Sequence, residues 1–138
     1  MSMTFDTKIA IVLCDDLETW QKLNVTAFVA SAVVGKTGEI LGAPYQDAAG
    51  NQYLPMVIQP IMIYQASAQE LVRVYQRARE REVKLAIFTR ELFSTGNDDD
   101  NRAAVADKLP EQLDLVGVAM RDLKKTVDKV TKGLKFHP

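Results

Sequence analysis

Two aspartates and a lysine surround the turn that follows the first apolar run of the chain. Asp15 and Asp16 end the run that begins at Ile9, and Lys22 lies at the start of the next apolar stretch. In open α/β sheets, ligands bind beyond the carboxyl ends of strands, and these residues fall there. Lys22 could polarise an ester carbonyl and Asp16 could orient an attacking water, with Asp15 contacting substrate. The alternative is a salt bridge at the strand end.

Three threonines and an arginine are further candidates for substrate binding. Thr26 follows Lys22 by one helical turn and shares its face, so its hydroxyl could bond a ligand or, alternatively, its own backbone. Thr89, Arg90 and Thr95 lie in a polar loop after the third apolar run. Arg90 could bind a phosphate or carboxylate with two hydrogen bonds. A solvated loop is the alternative interpretation.

Two tyrosines flank the most irregular part of the chain. Tyr45 and Tyr53 stand on either side of residues 47–51, where Asp, Gly and Asn indicate a turn. Such loops often carry binding residues, so both tyrosines are candidates for an aromatic-lined pocket. Trp20 and Phe93 could extend that pocket with apolar surface.

Neither a metal nor a cofactor is expected. The chain has one cysteine and one histidine, Cys14 and His137, which leaves only carboxylates as further ligands. The three aspartates of residues 98–100 are better explained as the first turn of a helix, where acids favour the positive end of the dipole. A glycine-rich phosphate loop is also missing from the sequence.

The elements that position these residues alternate between strands and helices. Continuous apolar runs predict strands covered on both faces. We predict strands at residues 9–13, 56–64, 83–88 and 113–120, helices at 23–34, 68–81 and 121–132, a short helix after Asn97, and a hairpin of residues 42–46 and 52–54. The expected architecture is a three-layer α/β/α single domain spanning residues 1–138, with a mixed sheet of about four main strands plus the hairpin.

The first long helix, which Thr19 is predicted to cap, is apolar nearly all round. A helix of this kind must be buried on every side. One face would cover the sheet and the other would meet a second element or a second subunit. We therefore expect a homodimer.

Composition restricts the partners and the compartment. The chain has 138 residues and a net charge of −1, so no DNA partner is expected from its overall charge. No apolar run approaches the ~20 residues of a membrane span, and no signal peptide is visible. A single thiol favours a reducing compartment. These features predict a cytoplasmic protein without membrane contact.

Several segments resemble the archaeal and eukaryotic type of peptidyl-tRNA hydrolase, also called type two. The first runs from the aspartate–leucine pair at Asp16 through Lys22 into an alanine-rich helix. The second is the apolar strand of residues 116–120, followed at 128–135 by the sequence D-K-V-T-K-G-L-K. The strand–helix–strand unit of residues 61–88 also fits the family. The resemblance therefore spans nearly the whole chain and implies the fold of that hydrolase.

The resemblance implies a hydrolase of an ester or amide bond in a tRNA-linked or small substrate. Two features depart from it. The histidine of the family's helix falls near Val29 or Ala30, and the loop that starts at Thr89 lacks the family's turn aspartate. This pattern is expected of a divergent bacterial family of unknown function on the same fold. The alternative function is a non-catalytic module that binds a small ligand or regulates a partner.

Overall fold

The structure, a computed structural model, describes residues 5–138. It contains four α-helices and seven β-strands in this part of the chain. The strands are β1 (Thr7–Cys14), β2 (Tyr45–Gln46), β3 (Gln52–Tyr53), β4 (Ile61–Ala66), β5 (Ala86–Thr89), β6 (Leu115–Leu123) and β7 (Lys135–Phe136). The helices are α1 (Thr19–Lys36), α2 (Ala68–Glu80), α3 (Asp98–Ala106) and α4 (Lys124–Val130).

Five strands form one mixed sheet in the order β5–β6–β1–β4–β7. β1 and β4 are parallel, and every other neighbouring pair is antiparallel. The predicted α/β class and mixed sheet are confirmed, as are the four main strands. β7, a two-residue edge strand paired with β4, was not predicted. Solvent is excluded from the centre of the sheet because β1 is apolar on both faces, with Ala10 and Val12 fully buried.

Helices cover both faces of the sheet. α1 packs on β1, β5 and β6, while α2 and α4 pack against each other and against β1 and β6. Leu13 lies beside Gly117 under Val25 of α1, whereas Lys8 reaches Asp128 of α4. Lys8 and Leu13 are five positions apart on β1, so their side chains point to opposite faces. The helices therefore form two separate layers.

Within one chain, α1 is buried on a single face, and no second element of residues 5–138 covers its outer face, so the expected cover by a second subunit stays a prediction. Its buried residues are Val25, Val29 and Val33, which form a single stripe facing the sheet. On the outer side, Leu23 is 68% exposed, and on the flank of the stripe Phe28 is 56% exposed although it contacts Phe88 of β5. A sequence pattern shows that a face is apolar, but the neighbours decide whether that face is covered.

Several element boundaries also differ from the prediction. α1 begins at Thr19 itself, and its N-cap is Glu18, whose N–H donates to the Gln21 side chain at 2.9 Å. The predicted strand at 56–64 forms only from Ile61, because residues 56–60 lack a ladder partner apart from one bridge between Leu41 and Val57. β6 continues through 121–123, where its pairing with β1 prevails over helix propensity.

The predicted hairpin is present and separate from the main sheet. β2 and β3 pair antiparallel as a two-stranded sheet. Asp47 closes the turn by accepting hydrogen bonds from the backbone N–H groups of Ala49 and Asn51 at 3.0 Å. The hairpin therefore owes its shape to local hydrogen bonds and not to burial.

No helix within residues 5–138 has the length and apolar character that crossing a membrane requires.

Candidate functional site

One edge of the sheet gathers charged residues from three loops. β1 and β5 end at this edge and β6 begins there, since β6 is antiparallel to both. Arg90 Nη2 lies 3.2 Å from both carboxylate oxygens of Asp16, and its Nε lies 3.2 Å from Oδ2 of Asp114. We call Asp16, Arg90 and Asp114 the carboxyl-edge cluster. Asp16 and Arg90 were both candidates from the sequence, whereas Asp114 was missed.

Hydrogen bonds keep the cluster charged. The Cys14 thiol donates to Asp16 Oδ1 at 3.0 Å, and this bond, followed by the Arg90 guanidinium, lowers the pKa of Asp16. Burial is the main cause that raises the pKa of the Cys14 thiol. Asp16 raises the pKa of Arg90 in turn. Asp16 is thus an ionised acceptor that can orient a water, and Arg90 already has two carboxylate partners.

Asp15 directly follows β1 at this edge and Lys22 and Thr26 lie on α1, and among residues 5–138 none of the three has a side-chain hydrogen bond or ion pair with the cluster. Lys22 is half-buried in the first turn of α1 and makes no ion pair with any residue in 5–138. The Thr26 hydroxyl donates to the Lys22 carbonyl at 2.7 Å, as the backbone alternative predicted. Asp15 is exposed, and its N–H donates to the Ala66 carbonyl at 2.9 Å, which ties the end of β1 to the end of β4.

The two remaining threonines lie on either side of a short 3-10 helix, Arg90–Ser94. Thr89 is 2% exposed at the end of β5, so its side chain belongs to the core. Thr95 donates to the Leu92 carbonyl at 3.0 Å and also contacts the Asn101 amide of α3. Thr95 therefore fixes α3 to the end of the 3-10 helix.

Tyr45 and Tyr53 face each other across the hairpin and are both exposed. The Tyr53 hydroxyl donates to Asp47 Oδ2 at 2.7 Å and is the main reason that the pKa of Asp47 falls to about 2. Neither tyrosine lines the large cleft described next, and neither contacts the carboxyl-edge cluster. The hairpin and the sheet edge are separate surfaces.

A cleft of about 820 Å³ lies between α1, β5 and α3. We call it the aromatic cleft because four rings form a continuous row along it. Trp20 meets Phe93 edge-on with ring centroids 5.6 Å apart, Phe93 meets Phe88 at 5.0 Å, and Phe88 meets Phe28 at 6.0 Å. Only Trp20 and Phe93 of this row were recognised from the sequence, as an extension of the hairpin pocket.

The rim of the aromatic cleft is polar but has little free charge. Asp98 and Arg102 are the charged residues that line it, and they pair with each other at 2.6 Å across one turn of α3. Asn24 of α1 and Asn101 of α3 stand on opposite walls. A spacing of four on α1, at residues 20, 24, 28 and 32, is the sequence signal that could have identified one wall of the cleft.

Metal chemistry has no support in this part of the molecule. Among residues 5–138, no group of three or more His, Cys, Asp or Glu side chains is arranged to hold a metal ion.

Comparison with known families gives one assignment. A family model described as a protein of unknown function, DUF2000, matches residues 7–138. The chain belongs to the DUF2000 family. The prediction of a family of unknown function is confirmed, whereas the relation to peptidyl-tRNA hydrolases stays a prediction. A comparison with curated proteins gives no match.

One solved structure is similar to nearly the whole chain. It is that of a protein of unknown function from Agrobacterium tumefaciens strain C58, which is 47% identical to this chain. The likeness covers 98% of this chain and 100% of the other, with a TM-score of 0.96. The DUF2000 chain is thus similar over its whole fold to a protein whose description states no activity.

Proposed function

We propose that the protein binds a small, largely apolar molecule in the aromatic cleft, as a binding or regulatory module. The single observation that carries this proposal is the cleft itself. Its volume, about 820 Å³, falls within the range of roughly 300–1,000 Å³ typical of small-molecule sites. Such sites combine apolar walls with a few polar groups, as this one does.

Exposure of the aromatic side chains supports the same function. Trp20 is 58% exposed and Phe28 56% exposed, although Trp20 contacts the ring of Phe93 and Phe28 contacts the buried ring of Phe88. Burying apolar surface contributes about 25 cal/mol per Å². A ligand that lies between the Trp20 and Phe28 rings would bury their apolar surface and be stabilised by that burial.

A substitution that fills the cleft with a side chain tests the proposal. Ala106 lines the cleft, while Ala103 lies on the same helix, is also exposed and does not line it. We expect a thermal-shift screen of neutral aromatic fragments to give binders for the wild type and for Ala103→Phe. Ala106→Phe should lose them, because its ring occupies the ligand's space. Equal binding to both variants, or no binder for the wild type, would overturn the proposal.

A second candidate function is hydrolysis at the carboxyl-edge cluster. The observation in its favour is that Asp16, Arg90 and Asp114 meet where α/β folds bind ligands, close to the first turn of α1. In this proposal Asp16 orients the water that attacks an ester or amide, and Lys22 polarises the carbonyl. The substrate would be tRNA-linked or small, as the resemblance to peptidyl-tRNA hydrolases implies.

Peptidyl-tRNA turnover separates the two functions. The hydrolase proposal expects cleavage by the wild type and a loss of roughly 10²–10³-fold in Lys22→Ala, the usual range for removing one group that stabilises the developing negative charge on the carbonyl oxygen. Lys36→Ala is a matched control at the other end of α1. If the folded wild type gives no turnover, or if both variants retain it, the catalytic assignment of Lys22 is wrong.

A further inference from the structure

The spacing of the four rings in the aromatic cleft indicates the shape of the molecule that fits there. Trp20 and Phe28 are eight residues apart on α1, so their rings are separated by ~12 Å along the helix axis. Phe88 and Phe93 occupy the floor between them. The row of rings is therefore long and narrow, which suits two or three fused flat rings better than a compact globular molecule.

Ring geometry favours an aromatic ligand over an aliphatic one. Successive rings in the row meet at 70°, 48° and 46°, so none of them stacks face to face with its neighbour. The faces of the exposed rings, Trp20 and Phe28, are thus left for an added ring. Aromatic pairs in offset or edge-on contact are stabilised beyond the effect of the area they bury.

Polar groups on the rim select an uncharged hydrogen-bonding edge. Thr95 holds one end of the Asn101 amide, which leaves the other end for a ligand. Asn24 presents a second amide from the opposite wall. A carboxamide or lactam has both a donor and an acceptor, so it can pair with these side chains whichever way their amides are turned.

Charge at the rim disfavours an anion. Arg102 is paired with Asp98, and Asp99 and Asp100 lie in the same first turn of α3. The nearest basic group is therefore outnumbered by carboxylates. A carboxylate ligand would have to displace Asp98 from Arg102 and then meet the remaining two acids.

From these features we propose that the cleft recognises a flat, neutral, fused-ring aromatic molecule that carries an amide or lactam edge. The proposal rests on the proposed binding function and goes further, because it names the chemical class of ligand. The rings would lie along the row from Trp20 to Phe28. The amide would face Asn24 and Asn101.

Three matched compounds test the class by calorimetry. 2-Naphthamide has the flat rings and the amide, decahydronaphthalene-2-carboxamide keeps the amide without flat rings, and 2-naphthoate replaces the amide with a carboxylate. We expect 2-naphthamide to bind roughly tenfold more tightly than either of the other two. The indole N–H resonance of Trp20, the single tryptophan of the chain, should move in the same titrations.

Variants connect the binding to named residues. Phe28→Leu should weaken 2-naphthamide roughly fivefold and leave decahydronaphthalene-2-carboxamide nearly unchanged. Phe136→Leu is its control, since Phe136 is 57% exposed and stacks on Tyr64 away from the cleft. Asn24→Ala should weaken 2-naphthamide without affecting 2-methylnaphthalene, which has no amide.

The outcomes distinguish an error in the ligand class from an error in the proposed binding function. If the decahydronaphthalene amide or 2-naphthoate binds as tightly as 2-naphthamide, with the Trp20 signal moving, the ligand class is wrong and the cleft still binds small molecules. If none of the compounds binds, the ligand class and the proposed function both fail. If Phe136→Leu weakens binding as much as Phe28→Leu, the ligand lies elsewhere.

Discussion

Gly117 determines how closely α1 can approach the sheet. It lies in β6, and a Cβ atom built on it would stand 2.3 Å from Cγ1 of Val25 in α1. Ordinary carbon contacts are 3.5–4.0 Å, so Gly117→Ala requires α1 to move by more than an ångström or Val25 to change its rotamer. Val25 is fully buried, so the neighbouring side chains leave little room for a new rotamer of Val25 or for a shift of α1.

The expected cost follows from overpacking. Inserting a methyl group into a tight core typically costs about 1–3 kcal/mol, and we place Gly117→Ala near the upper end because the contact is so short. Val25→Ala removes two buried methyl groups and should cost about 1–3 kcal/mol as well. In the double variant the smaller side chain makes room for the new one. Its cost should therefore fall at least ~1 kcal/mol below the sum of the single variants.

Urea unfolding followed by far-UV circular dichroism measures these free energies. The three variants and the wild type form a double-mutant cycle. The free energy of unfolding must fall with urea concentration at the same slope in all four proteins for their free energies to be compared. Gly117→Ala also changes the intrinsic strand propensity of the residue. Ala119→Gly, in the same buried strand, is the control that measures this difference between glycine and alanine. Additive costs in the double variant, or a neutral Gly117→Ala, would show that α1 is not held against β6 as described.

Two further predictions concern charge and assembly. The folded pKa of Asp16 lies below its unfolded value of about 3.9, so its stabilisation is present above that pH and is lost as the pH falls through the folded value. Arg90→Met should raise the pKa of Asp16 in an NMR titration and cost less than ~1 kcal/mol, because the pair is exposed; an unmoved titration would count against the pairing. We also expect the wild type to sediment as a dimer at micromolar concentration and Leu23→Glu as a monomer, since Leu23 is 68% exposed on α1. A monomeric wild type would refute this assembly.

Features with a strong local cause could be predicted from the sequence. Ser67 caps α2 and accepts from the Glu70 N–H at 3.1 Å, and Asn97 caps α3 by accepting from the Asp100 N–H at 2.8 Å. In both cases a few neighbouring residues determine the geometry. The meeting of Asp16 with Arg90 was predictable for a similar reason, because carboxyl ends of strands that run in the same direction lie at one edge.

Features that depend on tertiary distance were not predictable. β7 has two residues, too few for any periodicity, and forms only because β4 offers it an edge. Asp114 joins the carboxyl-edge cluster from the amino end of β6, which required knowing that β6 runs antiparallel to β1. The aromatic cleft exists because α3 stands away from α1, and no local pattern specifies that gap.

α1 gives the two proposed sites independent surfaces, and this separates their tests. Trp20 and Lys22 are two positions apart, so their side chains leave the helix about 160° from each other. Trp20 points to the aromatic cleft, while Lys22 lies on the far flank with Thr26 one turn further along. Lys22→Ala should therefore leave 2-naphthamide binding unchanged, and Phe28→Leu should leave any hydrolysis unchanged. If either variant impaired both properties, the cleft and the carboxyl-edge cluster would have to be parts of one site.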